Sequence, residues 1–465
     1  MRILHLTDLH YSNSNKKQID RLLNPLLETV DRENKVTKID FVVFTGDLVY
    51  SGNDNSFNKA ESDFIKPICE TIGIGKENFI LCAGNHDMAT EKEFKSIKNY
   101  IDKFISNDEL DTFVSQQDNE FENSCLNSKP FNDFISTFHS AKSEYIFNNL
   151  FQSQKIKIDG KTIGIVSFNS AWRSFIGNDS GSLLLPRYTI YEAHDTIKNC
   201  DLKICLIHHD LAELKPYNGF EVEDLIYELF HLKFSGHYHK KRQETYITPN
   251  IGMLSVYSPS SMSKMDGSQI GFAIVDIDEE ILEGEFANFN YSRTDNLFTK
   301  TSSIPVSIPV NKDKKDQIDL IKALKNAFEK ELIEANDLLV SDDLFSPGNF
   351  LKLFSKPILK TKSKTQSIKD KKDSKNVEVK DLFNNNYIIY GKDKSGKTSL
   401  LRKIELELLR DYKFNETIPL YFDFKGVELD KLNSFKVLKN LLGLSNNKTN
   451  RVLEEGNFTL LIDNF

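Results

Sequence analysis

Eight short apolar runs punctuate the first three fifths of the chain. They are RILHLTD from Arg2, DFVVFTGDL from Asp40, NFILCAGNHD from Asn78, KTIGIVSFNS from Lys161, KICLIHH from Lys203, LKFSGHYH from Leu232, GMLSVYS from Gly252 and GFAIVDI from Gly271. Runs this continuous leave no polar face, so they predict strands buried on both sides, alternating with helical stretches in an α/β domain over residues 1–295. Each of the polar clusters that close several of these runs falls at a carboxyl end, where open α/β sheets place their chemistry.

The strand rhythm is interrupted over 88–154 by polar, helical sequence (EKEFKSIKNYIDKFI, PFNDFISTFHSAKSEYIFNNLF), which predicts a helical cap. Beyond the last strand, Ile318, Ile321, Leu324, Phe328 and Leu332 fall at helical spacing and predict a connector over 296–354. Residues 355–380 are lysine-rich and poor in large apolar side chains, the composition of a tether. A third region occupies 381–465.

With 465 residues, several domains each have room for their own core. No apolar stretch reaches the roughly 20 residues of a membrane span, and Met1-Arg2 runs directly into a strand-like segment without a signal-peptide pattern. A cytoplasmic protein without membrane contact is expected. Cys69, Cys82, Cys125, Cys200 and Cys205 lack paired spacing and read as reduced, buried thiols. The net charge of −8 leaves any nucleic-acid contact to local basic patches.

Five motifs then appear in order: Asp8 and His10 in DLH, Gly46-Asp47, Gly84-Asn85-His86-Asp87, His208-His209, and Gly236-His237 with His239. Singly each is weak. Together they place carboxylate, amide oxygen and imidazole at strand ends, an oxygen and nitrogen donor set without thiolate, suited to Mn²⁺, Fe or Zn²⁺. His5 lies in the first strand, where alternation turns it away from Asp8 and into the core. Lys240, Lys241 and Arg242, and Trp172 with Arg173, offer either a grip on a nucleic-acid backbone or ordinary loop and packing roles.

The ordered set resembles the calcineurin-like metallophosphoesterases over about Met1–Ser292. The resemblance implies a double β-sheet sandwich flanked by helices that holds two divalent ions. Asp47 would bridge them, with Asp8, His10 and His239 on one ion and Asn85, His208 and His237 on the other. His86 would face the substrate as a charge stabiliser or general acid, with Asp87 orienting its ring. Either His208 or His209 suits the ligand role; the family pattern favours His208. Asp210 stands where the family often has proline.

Near the carboxyl end, YIIYGKDKSGKTSLLRKI reads as strand, phosphate loop and helix. Gly391, Ser395, Gly396, Lys397, Thr398 and Ser399 are placed to wrap the phosphates of ATP and its Mg²⁺, and FTLLIDNF ends in Asp463, a further Mg²⁺ carboxylate. This part resembles the start of a STAND or NACHT-like P-loop NTPase over about Val377–Phe465. The resemblance implies that an intervening strand comes later than Phe465, and hence an incomplete nucleotide site and a trigger sensed by a missing carboxyl-terminal region. The combined expectation is a homo-oligomeric nuclease effector of the antiviral defence type, acting on nucleic acid and gated by an NTPase switch. Two alternatives stand beside it: a phosphodiesterase of small cyclic or signalling nucleotides, and a metal domain that scaffolds oligomerisation.

Overall fold

A computed structural model describes residues 1–52, 54–89, 101–139, 145–174, 179–238, 242–247, 252–257, 270–310, 312–336, 350–351, 354, 359–360, 376–377, 388–390, 392, 395–412, 417–425 and 433–463. The chain divides into two compact units, Met1–Lys312 and Asp313–Phe465. Among the described residues no helix is long and apolar enough to cross a membrane.

The first unit contains strands β1 (Arg2–Leu6), β2 (Phe41–Phe44), β3 (Phe79–Leu81), β4 (Ile146–Phe147), β5 (Phe151–Ile158), β6 (Lys161–Phe168), β7 (Leu202–Ile207), β8 (Leu232–Ser235), β9 (Arg242–Ile247), β10 (Gly252–Tyr257), β11 (Gly271–Asp278), β12 (Glu283–Ser292) and β13 (Leu297–Ser307). They form two sheets, ordered β13-β12-β11-β1-β2-β3 and β4-β5-β6-β7-β8-β10-β9. Strands β1, β2 and β3 are parallel in one sheet, and β6, β7, β8 and β10 in the other. The sheets pack face to face: the His5 ring on β1 meets Phe234 on β8 edge-on at 4.9 Å, and the Cys82 thiol reaches the Phe168 and Leu206 carbonyls. His5 is fully buried, its Nε2 paired with Thr45 Oγ1 at 2.9 Å.

Helix Lys16–Val36 covers the first sheet because Ile19, Leu22, Leu26 and Val30 recur on one face and enter a core with Val42, Phe44 and Ile274. Each such side chain contributes about 1.5–3 kcal/mol on burial. Helices Arg187–Ile197 and Pro216–Leu229 cover the second sheet in the same way, through Ile190, Ala193, Val222 and Ile226. The calcineurin-like expectation of two sheets flanked by helices agrees with this mixed α/β arrangement.

Within the interruption, helices Asn107–Gln116, Asn119–Ser124 and Lys129–Phe138 are present. Ser106 and Asp118 cap the first two by accepting backbone N–H groups. Leu110, Phe113, Val114 and Phe121 form a cluster around Trp172, which is fully buried and donates Nε1–H to the Leu184 carbonyl at 2.7 Å. Trp172 is therefore a packing residue, and base stacking by it is excluded. Arg173 is likewise enclosed, 3.8 Å from Asp102. Lys240 and Lys241 lie outside the described residues.

The first unit extends past the expected boundary at 295. β13 pairs along its length with β12, so a cut at 295 would separate two strands of one sheet.

In the second unit, helices Lys312–Asn336, Lys397–Arg410, Ser434–Leu442 and Asn446–Glu455 accompany two small sheets. The pair β14 (Leu359–Lys360) and β15 (Asn376–Val377) is antiparallel; β16 (Thr417–Asp423) and β17 (Asn457–Asp463) run parallel. Ala323, Leu324 and Ala327 join Leu409, Ile418, Leu420 and Leu438 in its core. The strand expected over YIIY is not formed at 388–390, where Ile388 and Tyr390 are exposed. An apolar run becomes a strand only where a neighbour supplies its backbone partners, and the neighbour β17 has is β16.

Candidate metal centre

Five parallel strand ends deliver the motif residues to one place. Asp8 and His10 follow β1, Asp47 follows β2, Asn85 follows β3, His208 follows β7 and His237 follows β8. The loops are stitched by backbone hydrogen bonds, Asp8 N–H to Gly46 O, His10 N–H to Asp47 O and Gly236 N–H to His208 O, at 3.0, 2.9 and 3.1 Å. Eight described non-glycine residues have positive φ, and four of them are Asp8, His10, Asp47 and His237. Left-handed backbone is unfavourable for such residues, so its concentration here marks a site where the surroundings enforce local strain.

The side chains converge. His208 Nε2 lies 3.1 Å from Asn85 Oδ1 and 3.4 Å from Asp47 Oδ2. His10 Nε2 lies 3.7 Å from Asp47 Oδ2 and 3.8 Å from Asp8 Oδ1. Donor atoms lie within 4.8 Å of one another in each of three sets: Asp8, Asp47 and His208; His10, Asp47 and His86; His208, His209 and His237. Asp47 belongs to two of these sets, the position a shared ligand needs. Asp8 and Asp47 are almost fully buried.

Electrostatics follows from that crowding. Burial alone raises the Asp47 carboxyl, but the imidazoles of His208, His10 and His86 overcome it and hold the group well below the usual carboxylate range. Burial depresses His208, and the Asp47 carboxylate more than reverses this, raising the imidazole to about 10. His209 is held well below its ordinary value by burial and then by His208 and His237.

The residues suit divalent cations on an independent ground. His208 Nδ1 sits 2.6 Å from the Thr45 carbonyl, which only accepts, so Nδ1 keeps its proton, and Nε2, facing the oxygens of Asp47 and Asn85, is the nitrogen whose proton a divalent cation would replace. Fully buried His209 faces the same region; its Nδ1 pairs with Ser170 Oγ at 2.9 Å, and its Nε2 has no hydrogen-bond partner among the described residues. Thus the two adjacent histidines both reach the centre, His208 beside Asp47 and Asn85, His209 on the side of His237. His239 lies outside the described residues.

His86 occupies the rim. Its backbone N–H donates to Asp47 Oδ1 at 2.8 Å, and Nδ1 lies 3.0 Å from the Tyr50 carbonyl. Because a carbonyl only accepts, Nδ1–H is the donor in that contact, which leaves Nε2 as the ring's other polar atom. The role expected for Asp87 is corrected. Its carboxylate accepts the backbone N–H groups of Asp47, Gly84 and Val49 at 2.9, 2.9 and 3.0 Å instead of orienting the His86 ring. Both residues lie in the 3-10 turn Asn85–Asp87, where adjacent side chains diverge. Asp87 therefore locks the loops that carry Asp47 and Asn85, while burial and then Asp47 push its carboxyl up to about 8.

Sequence reasoning missed Glu213. This buried carboxylate has Oε2 3.5 Å from His237 Nε2, and its position four residues past His209, outside any motif, gives no linear signal.

In the second unit, Lys397, Thr398 and Ser399 form the first turn of helix Lys397–Arg410, preceded by Ser395 and by Gly396 in left-handed conformation. Lys397 Nζ donates to the Lys392 carbonyl at 3.0 Å. Asp463 ends β17 and accepts from the Tyr421 hydroxyl at 2.7 Å. Gly391 lies outside the described residues.

The model of the family described as Calcineurin-like phosphoesterase matches residues 1–241, more than half of the chain, and the chain belongs to that family. It is similar to the uncharacterized metallophosphoesterase-like protein YydB of Bacillus subtilis (strain 168), 23% identical over 356 residues, 74% of this chain and 70% of the relative. Similar solved structures include the NAD nucleotidase (NadN) of Haemophilus influenzae, with a TM-score of 0.31 and 11% identity, covering 70% of this chain and 56% of that one. Wild-type Vps29 from Entamoeba histolytica complexed with zinc has a TM-score of 0.26 and 11% identity, covering 66% of this chain and 99% of that one.

Proposed function

We propose that the first unit is a dinuclear-metal phosphodiesterase that cleaves a nucleic-acid backbone, and that the second is a STAND-type NTPase element controlling it in a defence protein. The observation that supports the chemistry is the meeting of buried Asp8, His10, Asp47, Asn85 and His208 with half-buried His237 at the ends of β1, β2, β3, β7 and β8. Asp8 and His10 would hold one ion, Asn85, His208 and His237 the other, and Asp47 would serve both. Two divalent ions of the Mn²⁺, Fe or Zn²⁺ type supply Lewis acidity toward a phosphoryl oxygen and make water nucleophilic near neutral pH.

The chain's own groups complete the reaction. Asp87 fixes the Asp47 and Gly84 backbone, so the Asp47 carboxylate is held before substrate arrives. Protonated at Nε2, His86 is set to donate to the leaving oxygen, with Nδ1 anchored on Tyr50. The preference for nucleic acid rests on the analogy with STAND proteins that carry amino-terminal enzymes, and the switch on the Gly396-Lys397-Thr398 helix start, where ATP and Mg²⁺ would bind.

The test is incubation of the full chain with Mn²⁺ and plasmid DNA, RNA or a panel of nucleotides, with Asp47→Asn as the inactive control. Chelator-sensitive cleavage of polymer is the expected result. Hydrolysis confined to cyclic or signalling nucleotides would move the substrate to that class. No hydrolysis of any ester, with fewer than two ions bound per chain, would leave the metal domain a scaffold.

A further inference from the structure

The turn after β7 carries an additional acidic group to the metal centre. Past His208 and His209 the chain enters the 3-10 turn Leu211–Glu213, capped by Asp210. Asp210 Oδ1 accepts the Ala212 N–H at 3.0 Å, while Oδ2 accepts the Tyr257 hydroxyl at 3.0 Å. The buried Lys233 ammonium donates to that hydroxyl oxygen at 3.2 Å. The start of the turn is thereby anchored to β8 and β10. Its end is held as well, since the Leu183 N–H donates to the Glu213 carbonyl at 3.4 Å and the Lys215 N–H to the Leu183 carbonyl at 2.8 Å.

This framework fixes where the Glu213 side chain stands. The residue is only 3% exposed, and a carboxylate withdrawn from water carries a large desolvation cost unless it meets a donor or a cation. Its Oε2 lies 3.5 Å from His237 Nε2. On its other side, the backbone N–H of His237 points to Asp8 Oδ2 at 3.3 Å. His237 is thus held by two acidic side chains, its backbone N–H by Asp8 and its ring by Glu213.

We propose that Glu213 is a positioning residue for His237. It takes the Nε2–H, fixes the tautomer and leaves Nδ1 as the electron-pair donor for a divalent ion, the carboxylate–imidazole–metal relay that raises ligand basicity. The assignment rests on the metal reading of the site. Asp210, Tyr257 and Lys233 act one step further back by setting the turn that presents Glu213.

Two readouts on the full chain test it. ¹⁵N-imidazole NMR of the metal-free protein, assigned against His237→Gln, should show His237 of the wild type in the Nε2–H tautomer. Calorimetric titration with Mn²⁺ should show one of two ions weakened about 10–100-fold in Glu213→Met, with partial recovery in Glu213→Gln, whose amide oxygen still accepts. A wild-type His237 in the Nδ1–H tautomer overturns the proposal without recourse to any Glu213 variant. Wild-type Mn²⁺ binding matched by Glu213→Met overturns it alone, whereas a wild type that takes up no Mn²⁺ overturns the metal reading beneath it.

Discussion

Gly84→Ala isolates the packing that holds Asp47 in place. Gly84 has φ −109° and ψ 173°, extended backbone open to any residue, so the substitution introduces no conformational strain of its own. The new methyl would stand 2.2 Å from Asp47 Oδ1 and 2.3 Å from the Asp47 backbone nitrogen, where ordinary contact begins at 3.4 Å. The nitrogen must therefore retreat by 3.4 minus 2.3, about 1.1 Å. It cannot do so freely, because Asp47 N–H and Gly84 N–H share one Asp87 oxygen, each at 2.9 Å. Overpacking of this kind costs about 1–3 kcal/mol of stability, and a displacement near 1 Å costs roughly 10²-fold in rate. Mn²⁺-dependent hydrolysis of bis(4-nitrophenyl) phosphate, measured beside urea unfolding, reads both. Gly160→Ala is the control, with φ +81° and nothing within 4 Å of the added carbon, so it loses stability of about 1–2 kcal/mol and no activity. A Gly84→Ala protein with wild-type kcat/KM would refute the reasoning.

Three further outcomes are expected. Asp47→Asn should lower the same hydrolysis by roughly 10²–10³-fold, the scale of several kcal/mol of lost metal stabilisation, and added Mn²⁺ that restores full turnover would contradict it. Burial holds the His5 imidazole down to about 3 against the opposing pull of Asp8. Its folded pKa lies below its unfolded one, so the stability it gives is complete above about pH 6.5 and falls by about 1.4 kcal/mol per pH unit toward pH 3. His5→Leu should flatten the dependence of urea-derived stability over that window by about one proton, and an unchanged slope would count against the buried neutral ring. Burial also pushes the thiols of Cys69, Cys125 and Cys205 up to about 12 and raises Cys82. A disulfide reagent should label these four only after unfolding, and rapid labelling of the native protein would contradict that.

Much of the centre was legible because its candidate ligands sit directly after apolar strands, so Asp8, Asp47, Asn85 and His208 could be placed by counting from strand ends. Spatial relations were not. Asp87 follows His86 in the chain, yet the 3-10 turn sends its carboxylate to three backbone N–H groups. His208 and His209 both reach the centre because β7 ends at Ile207, and beyond a strand end the alternation of faces no longer applies. Glu213 is announced by no motif; only the capped turn brings it to His237.

The fold shows the same division. Strands β1, β2, β7 and β11, buried on both sides, were plain from their unbroken apolar runs. In contrast β5, FQSQKIKI, and β13, LFTKTSSIPVS, alternate with polar residues and were read as insertion or connector. Their place depends on pairing with β6 and β12, which linear composition does not record.

The central claim is that Asp8, His10, Asp47, Asn85, His208 and His237 hold a pair of ions. Anomalous diffraction from crystals soaked in Mn²⁺ measures this directly. Two peaks about 3.5–4 Å apart, with Asp47 coordinating both, are the result the account predicts. A single peak bound by other residues, or no peak between these strand ends at saturating Mn²⁺, would contradict it.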